Sequence, residues 1–297
     1  MAEQFCDVGR GVTLCYETFG DPADPTALLV MGLGVQMIGW REDFCAELAG
    51  RGFHVVRFDN RDAGRSTHFP ARPPSVGQLV RRSFGPEQYT LSDMSEDTAG
   101  LLRELELGPA HVIGASMGGM IGQMLAADHP DQVSSLTSIM STTGSRLRGQ
   151  PSLALYRFLL KRAPSERDAY IDHTATIFKA IGSPGMFNEE DVRDLAARSY
   201  DRDDDRNATG RQLAAILASG NRTRALRRIS APTLVIHGAE DRLVAPSGGR
   251  ATAKAIPGAQ LMLVDGMGHD LPRELWPRLI DAIEKHAGRA GEVRQPA

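Results

Sequence analysis

Cysteine is scarce in this chain. Three in 297 residues, Cys6, Cys15 and Cys45, are too few and too unevenly placed for a disulfide framework, which excludes the small cross-linked secreted scaffolds and favours a reducing compartment. Long apolar runs are also missing: no stretch approaches the roughly 18 apolar residues of a membrane-spanning helix. The acidic segment Met1-Ala2-Glu3-Gln4-Phe5-Cys6-Asp7 lacks the apolar core of a signal peptide, so a soluble, cytoplasmic protein with no membrane partner is expected. Charge of one sign does not dominate. With 34 basic and 37 acidic residues, a net charge of −3 and a pI near 6.3, there is no basic field for nucleic acid. Internal repeats and low-complexity tracts are absent as well. Of the eight histidines, none forms a His-x-x-x-His or Cys/His cluster, so neither a metal nor another cofactor is expected.

What is present is enough apolar material for a sizeable core, 41% of the chain, arranged in two periods. Residues 12–18 alternate as in an antiparallel edge strand, reached from residues 5–8 through Gly9-Arg10-Gly11. Strand-like stretches near 27–31, 53–58, 110–114, 133–140, 232–237 and 260–264 then alternate with helical periods near 41–50, 93–106, 117–128, 246–256 and 272–287. This predicts a mostly parallel eight-stranded sheet with helices on both faces. Residues 141–225 break the alternation, offering helical patterns such as residues 153–160 but no convincing strand. They read as an inserted helical cap. The expected organisation is a core of residues 1–140 and 226–288, a cap of 141–225, and a flexible tail of 289–297, where the period is lost.

The sharpest motif lies between the run at 110–114 and the next helical period, in Gly114-Ala115-Ser116-Met117-Gly118. Met117, Met120, Ile121, Met124 and Leu125 follow at i, i+3, i+4, i+7 and i+8. Strand, tight turn and helix place Ser116 at the bend, with glycines where a Cβ would collide with the neighbouring elements. Its hydroxyl then sits at a helix N-terminus, where N–H groups and the dipole favour negative charge. A serine is too weak a nucleophile at neutral pH without a base and an acid to orient that base. His269 follows a strand-like run and the flexible Asp265-Gly266-Met267-Gly268, while Asp241 follows the strand-like Pro232-Thr233-Leu234-Val235-Ile236-His237. Glu240 is the competing acid.

The order Ser116, Asp241, His269 is that of an α/β-hydrolase. The chain resembles this superfamily over about residues 11–140 and 226–285, through Gly-Ala-Ser-Met-Gly, Gly238-x-x-Asp241-x-x-x-x-Pro246 and Gly266-Met267-Gly268-His269. Its Ser-Met-Gly-Gly elbow is similar to those of carboxylesterases, enol-lactonases and cofactor-free haloperoxidases. Epoxide hydrolases and haloalkane dehalogenases place an aspartate where Ser116 stands. Gly20-Asp21-Pro22-Ala23-Asp24-Pro25, Leu29-Val30-Met31-Gly32, Arg61-Asp62-Ala63-Gly64-Arg65-Ser66-Thr67 and the Gly-Met-Gly-His segment resemble the polyketide methyl esterases of the aclacinomycin methylesterase type. That resemblance implies a methyl ester or another bulky ester as the small-molecule substrate. Residues 141–225 do not follow that pattern, and substrate identity stays open. By position in the superfamily, the oxyanion of the reaction is held by the backbone N–H groups of Met117 and Leu33, with Gly34 as the alternative to Leu33. Many relatives have His-Gly where this chain has Met31-Gly32.

The expected function is a serine carboxylic-ester hydrolase working through an acyl-enzyme. An enol-lactonase, a C–C bond hydrolase and a haloperoxidase or perhydrolase use the same three residues, and a small-molecule receptor on this fold is the non-enzymatic alternative. The cap is expected to cover the site and line the acyl or alcohol pocket, with Phe158 and Phe178 as sample positions. The remaining polar features read as structural. His237 is taken as a packed core histidine with no suitably spaced acid, residues 59–66 as a turn held by side-chain hydrogen bonds, and the charge-dense residues 200–206 as a solvated loop rather than a metal site.

Overall fold

The computed structural model describes residues 2–155, 163–203 and 205–294. Eight strands form one sheet: β1 (Gln4–Asp7), β2 (Thr13–Phe19), β3 (Thr26–Val30), β4 (His54–Phe58), β5 (Ala110–Ala115), β6 (Val133–Ile139), β7 (Thr233–Gly238) and β8 (Gln260–Val264). They lie in the order β1-β2-β4-β3-β5-β6-β7-β8. β2 runs antiparallel to β1 and β4, and every other pair is parallel. Every residue of β3, β4 and β7 is buried, as two-sided strands must be. Along β3, Leu28 and Val30 join one apolar cluster while Ala27 and Leu29 join the other, and β5 divides Val112 from Ile113 in the same way. The period of two thus feeds two cores, one on each face.

Helices α1 (Glu42–Gly50), α2 (Val76–Arg81), α3 (Leu91–Glu104) and α4 (Met117–Asp128) follow in the first half of the chain. Leu91, Met94 and Leu101 of α3 pack with Met120, Ile121 and Met124 of α4 on one face. Phe44 and Leu48 of α1 pack on the other face with Trp276, Leu279, Ile280 and Ile283 of the final helix. The short α2 buries none of its residues, and Val76 and Val80 are exposed. It starts on a capping box in which the Ser75 side chain accepts from Gln78 N–H and the Gln78 side chain accepts from Ser75 N–H, a local device that replaces burial.

Between β6 and β7 the chain leaves the sheet and forms α5 (Arg167–Ile181), α6 (Glu189–Arg202), α7 (Ala208–Ser219) and α8 (Thr223–Leu226). Of the helical pattern expected at 153–160, residues 153–155 form a 3-10 turn; the rest, Phe158 included, lies outside the described residues. After β7 come α9 (Ser247–Ala255) and, beyond β8, α10 (Trp276–Arg294). α10 runs through residues 289–294 of the expected tail 289–297, and Ala287 and Ala290 extend its buried stripe with small side chains. Among the described residues no helix is long and apolar enough to cross a membrane.

Two structural readings from the sequence have different outcomes here. The 59–66 segment is indeed a turn built on side chains: Asp59 accepts from Met37 N–H (2.7 Å) and Arg65 N–H (3.0 Å), and Ser66 Oγ donates to the Asp59 carbonyl (2.6 Å). The charged run at 200–206, in contrast, is no solvated loop. Arg202 pairs with the fully buried Asp59 at 2.8 Å and with Glu3 at 2.9 Å, Asp203 accepts from Gly64 N–H at 3.0 Å, and Asp205 pairs with Arg211. The run fastens the inserted helices to the turn after β4. Asp59 and Gly64 lie some 140 residues away in the chain, so no local pattern announces those two contacts.

Removing the cation would leave the Asp59 carboxylate buried beside two N–H groups only. Arg202→Met is therefore expected to lower unfolding stability by about 3 kcal/mol or more, read from the urea midpoint at constant slope. A loss within experimental scatter would show that the pair carries no stability.

Candidate active site

β5 ends at Ala115 and α4 begins at Met117, which leaves Ser116 alone in the bend at φ 52° and ψ −116°. A positive φ costs a non-glycine residue energy, and such strain persists only where the surroundings enforce it. The enforcement is visible. Ser116 N–H donates to Ile139 O of β6 at 2.9 Å. A Cβ on Gly114 would lie 2.3 Å from Gly118 O, and one on Gly118 would lie 2.0 Å from Val30 O. Strand, turn and helix are pressed together at the two positions where the sequence has glycine.

The structure brings the three candidate side chains together. Ser116 Oγ lies 3.0 Å from His269 Nε2, and His269 Nδ1 lies 2.7 Å from Asp241 Oδ2. A carboxylate only accepts, so the imidazole proton is assigned to Nδ1 and the Nε2 lone pair to the serine hydroxyl. Exposure falls along the chain of contacts, from the half-buried Ser116 to His269 and Asp241, which are 7% and 3% exposed. Asp241 Oδ1 is occupied by the N–H groups of Leu243 (2.9 Å) and Val244 (2.8 Å). Burial opposes ionisation of Asp241. The His269 and His237 imidazoles outweigh it and hold the carboxyl down at about 2. Glu240, the competing acid, is exposed and does not reach His269.

His237 departs from its sequence reading. It is buried, but not partnerless: its Nε2 donates to Val244 O at 2.8 Å and lies 3.4 Å from Asp241 Oδ2. The signal was in the sequence as a spacing of four residues, disguised because strand and loop, not a helix, bring the two side chains together.

The segment after β3 lies over the serine. A Cβ on Gly32 would be 3.1 Å from Ser116 Cβ. Gly34 N–H, the alternative oxyanion donor, is already given to Gln212 Oε1 at 2.8 Å. The N–H groups of Leu33 and Met117 find no backbone acceptor among the described residues. Asn60 Nδ2 donates to Met31 O at 3.0 Å, and Gln212 Nε2 to Arg61 O at 2.8 Å. These two buried amides supply the polar support missing from Met31-Gly32. Neither was visible in the sequence, since Gln212 is 178 residues from Gly34.

A cavity of about 740 Å³ opens between residues 82–88, 144–147 and 217–221, and none of Ser116, Asp241 or His269 lines it. Asp62, His68 and Asp205 bring potential ligand atoms within 4.8 Å of one another. The Arg211 guanidinium pairs with both of those carboxylates, filling with a fixed charge the place a cation would take.

An α/β-hydrolase fold model matches residues 28–272. The chain belongs to the α/β-hydrolase family. It is similar to the rhodomycin D methylesterase of Streptomyces peucetius, 28% identical with 94% of this chain and 96% of that protein covered. The putative non-heme bromoperoxidase of Mycobacterium tuberculosis is 26% identical, with 87% and 91% covered. Among solved structures, the enol-lactonase of Burkholderia xenovorans matches with a TM-score of 0.71 and 24% identity over 97% of this chain and 99% of that one, a likeness of fold. The chain is thus a hydrolase with an ester hydrolase among its relatives.

Because the Asp241 carboxyl is depressed from its ordinary 3.8 to about 2, its charge stabilises the folded state above roughly pH 4, and that stabilisation is lost as pH falls towards 2. Asp241→Asn should lower unfolding stability by roughly 2 kcal/mol at pH 7. Urea titrations of both proteins at pH 7, 5, 4 and 3 should show the gap closing below pH 4; a gap independent of pH would remove the charge as its cause.

Proposed function

We propose that the protein is a serine carboxylic-ester hydrolase that works through an acyl-enzyme. The observation that carries this reading is the 3.0 Å approach of Ser116 Oγ to His269 Nε2 at the apex of a strained strand-to-helix bend. Ser116 attacks the ester carbonyl as His269 takes its proton. Asp241 keeps the imidazole in the tautomer that presents a lone pair and stabilises the imidazolium that forms. The developing oxyanion is received by the N–H groups of Met117 and Leu33. His269 then protonates the leaving alcohol, and water cleaves the acyl-enzyme by the same steps in reverse.

For the substrate, similarity to the rhodomycin D methylesterase over nearly the full length of both chains favours the methyl ester of a bulky carboxylic acid. Methanol is then the alcohol released. Ile181-Gly182-Ser183 and α7 reach the two loops of the site, which supports the division into a core and a cap, with the cap as one wall of the acyl pocket. No metal or organic cofactor takes part in these steps.

The test is a panel of methyl, p-nitrophenyl and lactone esters read as kcat/KM, with fluorophosphonate labelling alongside. Ser116→Ala should lose turnover by about 10⁴-fold or more together with labelling, while keeping the unfolding profile of the parent. Retained turnover would refute the nucleophile. Absence of both labelling and turnover in the parent protein would favour a receptor instead.

The two acids separate in the same assay. Asp241→Asn is expected to lower kcat by up to roughly 10⁴-fold through the wrong tautomer, and Glu240→Gln by less than about tenfold. The reverse ranking would transfer the role to Glu240.

A further inference from the structure

The loop that carries His269, residues 265–270, is gripped from the insertion as well as from the core. Where α5 ends, Ile181-Gly182-Ser183 lies along it. Ile181 O accepts from His269 N–H at 2.8 Å. Ser183 Oγ accepts from Gly268 N–H at 2.9 Å and donates to Asp270 Oδ1. The three consecutive residues 268, 269 and 270 are therefore each bonded to the same short segment. Packing there is tight: Ser183 is 1% exposed, and a Cβ on Gly268 would lie 2.4 Å from the Gly182 carbonyl carbon.

The hydrogen bond that His269 Nδ1–H donates to Asp241 fixes the rotation of the imidazole only once the His269 backbone is in place. Nε2 must meet Ser116 Oγ within a few tenths of an ångström for proton transfer, and a displacement of about 1 Å costs on the order of 10²-fold in rate. The Asp270 carboxyl adds a second demand. Burial raises it above the ordinary carboxylate range, and hydrogen bonds from Ser183 oppose that rise. If released, this neighbouring carboxyl would be free to compete with Asp241 for the imidazole.

We propose that Ser183 is a positioning residue for His269, its hydroxyl bridging Gly268 N–H and the Asp270 carboxyl on either side of the histidine, so that the insertion helps hold the base of the reaction. This rests on the reading of His269 as that base. The insertion then does more than shape a pocket: a movement of the end of α5 is transmitted to Nε2.

The experiment is a double-mutant cycle with Ser183→Ala, Asp270→Ala and the pair, measured on a methyl ester and on a p-nitrophenyl ester. Each single change is expected to lower kcat by about 10- to 100-fold with KM within about threefold, and the double variant to be no worse than the weaker single one. The rate of fluorophosphonate labelling should fall in step, while the final labelled fraction stays that of the parent. The far-downfield proton NMR signal of His269 Nδ1–H should move or broaden in each variant. Should Ser183→Ala not fold, Ser183→Cys makes the same measurement with a much weaker hydrogen-bonding group of similar size. Unchanged kcat and labelling rate in a folded Ser183 variant, or losses that multiply in the double variant, would overturn the proposal. Because Ser116→Ala is assayed in the same panel, its retained turnover would instead refute the reading of the site itself.

Discussion

Gly118 of α4 approaches the carbonyl of Val30 in β3 so closely that a methyl group there would lie 2.0 Å from the oxygen. This contact governs the geometry of the site. It places the start of α4 against the end of β3, and so draws Ser116 under the segment Met31-Gly32-Leu33-Gly34. The sheet order makes the meeting possible. From β3 the chain steps outward to β4 and then returns to add β5 on the opposite side of β3. That reversal opens a crevice at the carboxyl ends of β3 and β5, and the two segments of a prospective oxyanion site leave the sheet on either side of it. The strained dihedrals of Ser116 are the local cost of this closeness, and the hydrogen bond to Ile139 helps to sustain them.

Around this apex the molecule uses buried charge where an apolar interface might have been expected. Arg57 pairs with Glu17, Arg61 with Asp97, Arg202 with Asp59, and Arg211 with Asp62, all at or near the turn after β4. Two of these arginines, Arg202 and Arg211, come from the inserted helices. Ion pairs of this kind add little net stability over apolar packing, but each tolerates few alternative geometries, because an unpaired buried charge is costly. They therefore suit an insertion that has to be held in one orientation over a site. Gln212 and Ser183 carry the same principle to the site itself, by accepting neutral hydrogen bonds from the Gly34 and Gly268 N–H groups.

Most of the sheet, and the three central side chains, were legible in the chain because their signals are local. The apolar run at 27–31 is uninterrupted, the glycines at 114 and 118 bracket one serine, and Asp241 and His269 each follow a strand by a few residues. Helix α2 was missed, since six residues that bury nothing make too short a period to read, and a capping box supports its start. The end of α10 was missed because alanines at 287 and 290 complete its buried face without a strong apolar signal.

The sequence by itself determined which backbone elements form, and at which bends Ser116, Asp241 and His269 stand, since period and glycine placement act over a few residues. Only the tertiary structure decided that these bends meet at one edge, that His237 leans on Asp241, and that residues 200–206 are a clamp and not a solvated loop. It alone assigned Gln212, Asn60 and Ser183 to the support of the site. Each of these is a polar contact specific in angle and distance between residues remote in the chain, apart from His237 and Asp241. Hydrophobic pattern records whether a residue is inside, but not which partner it finds there.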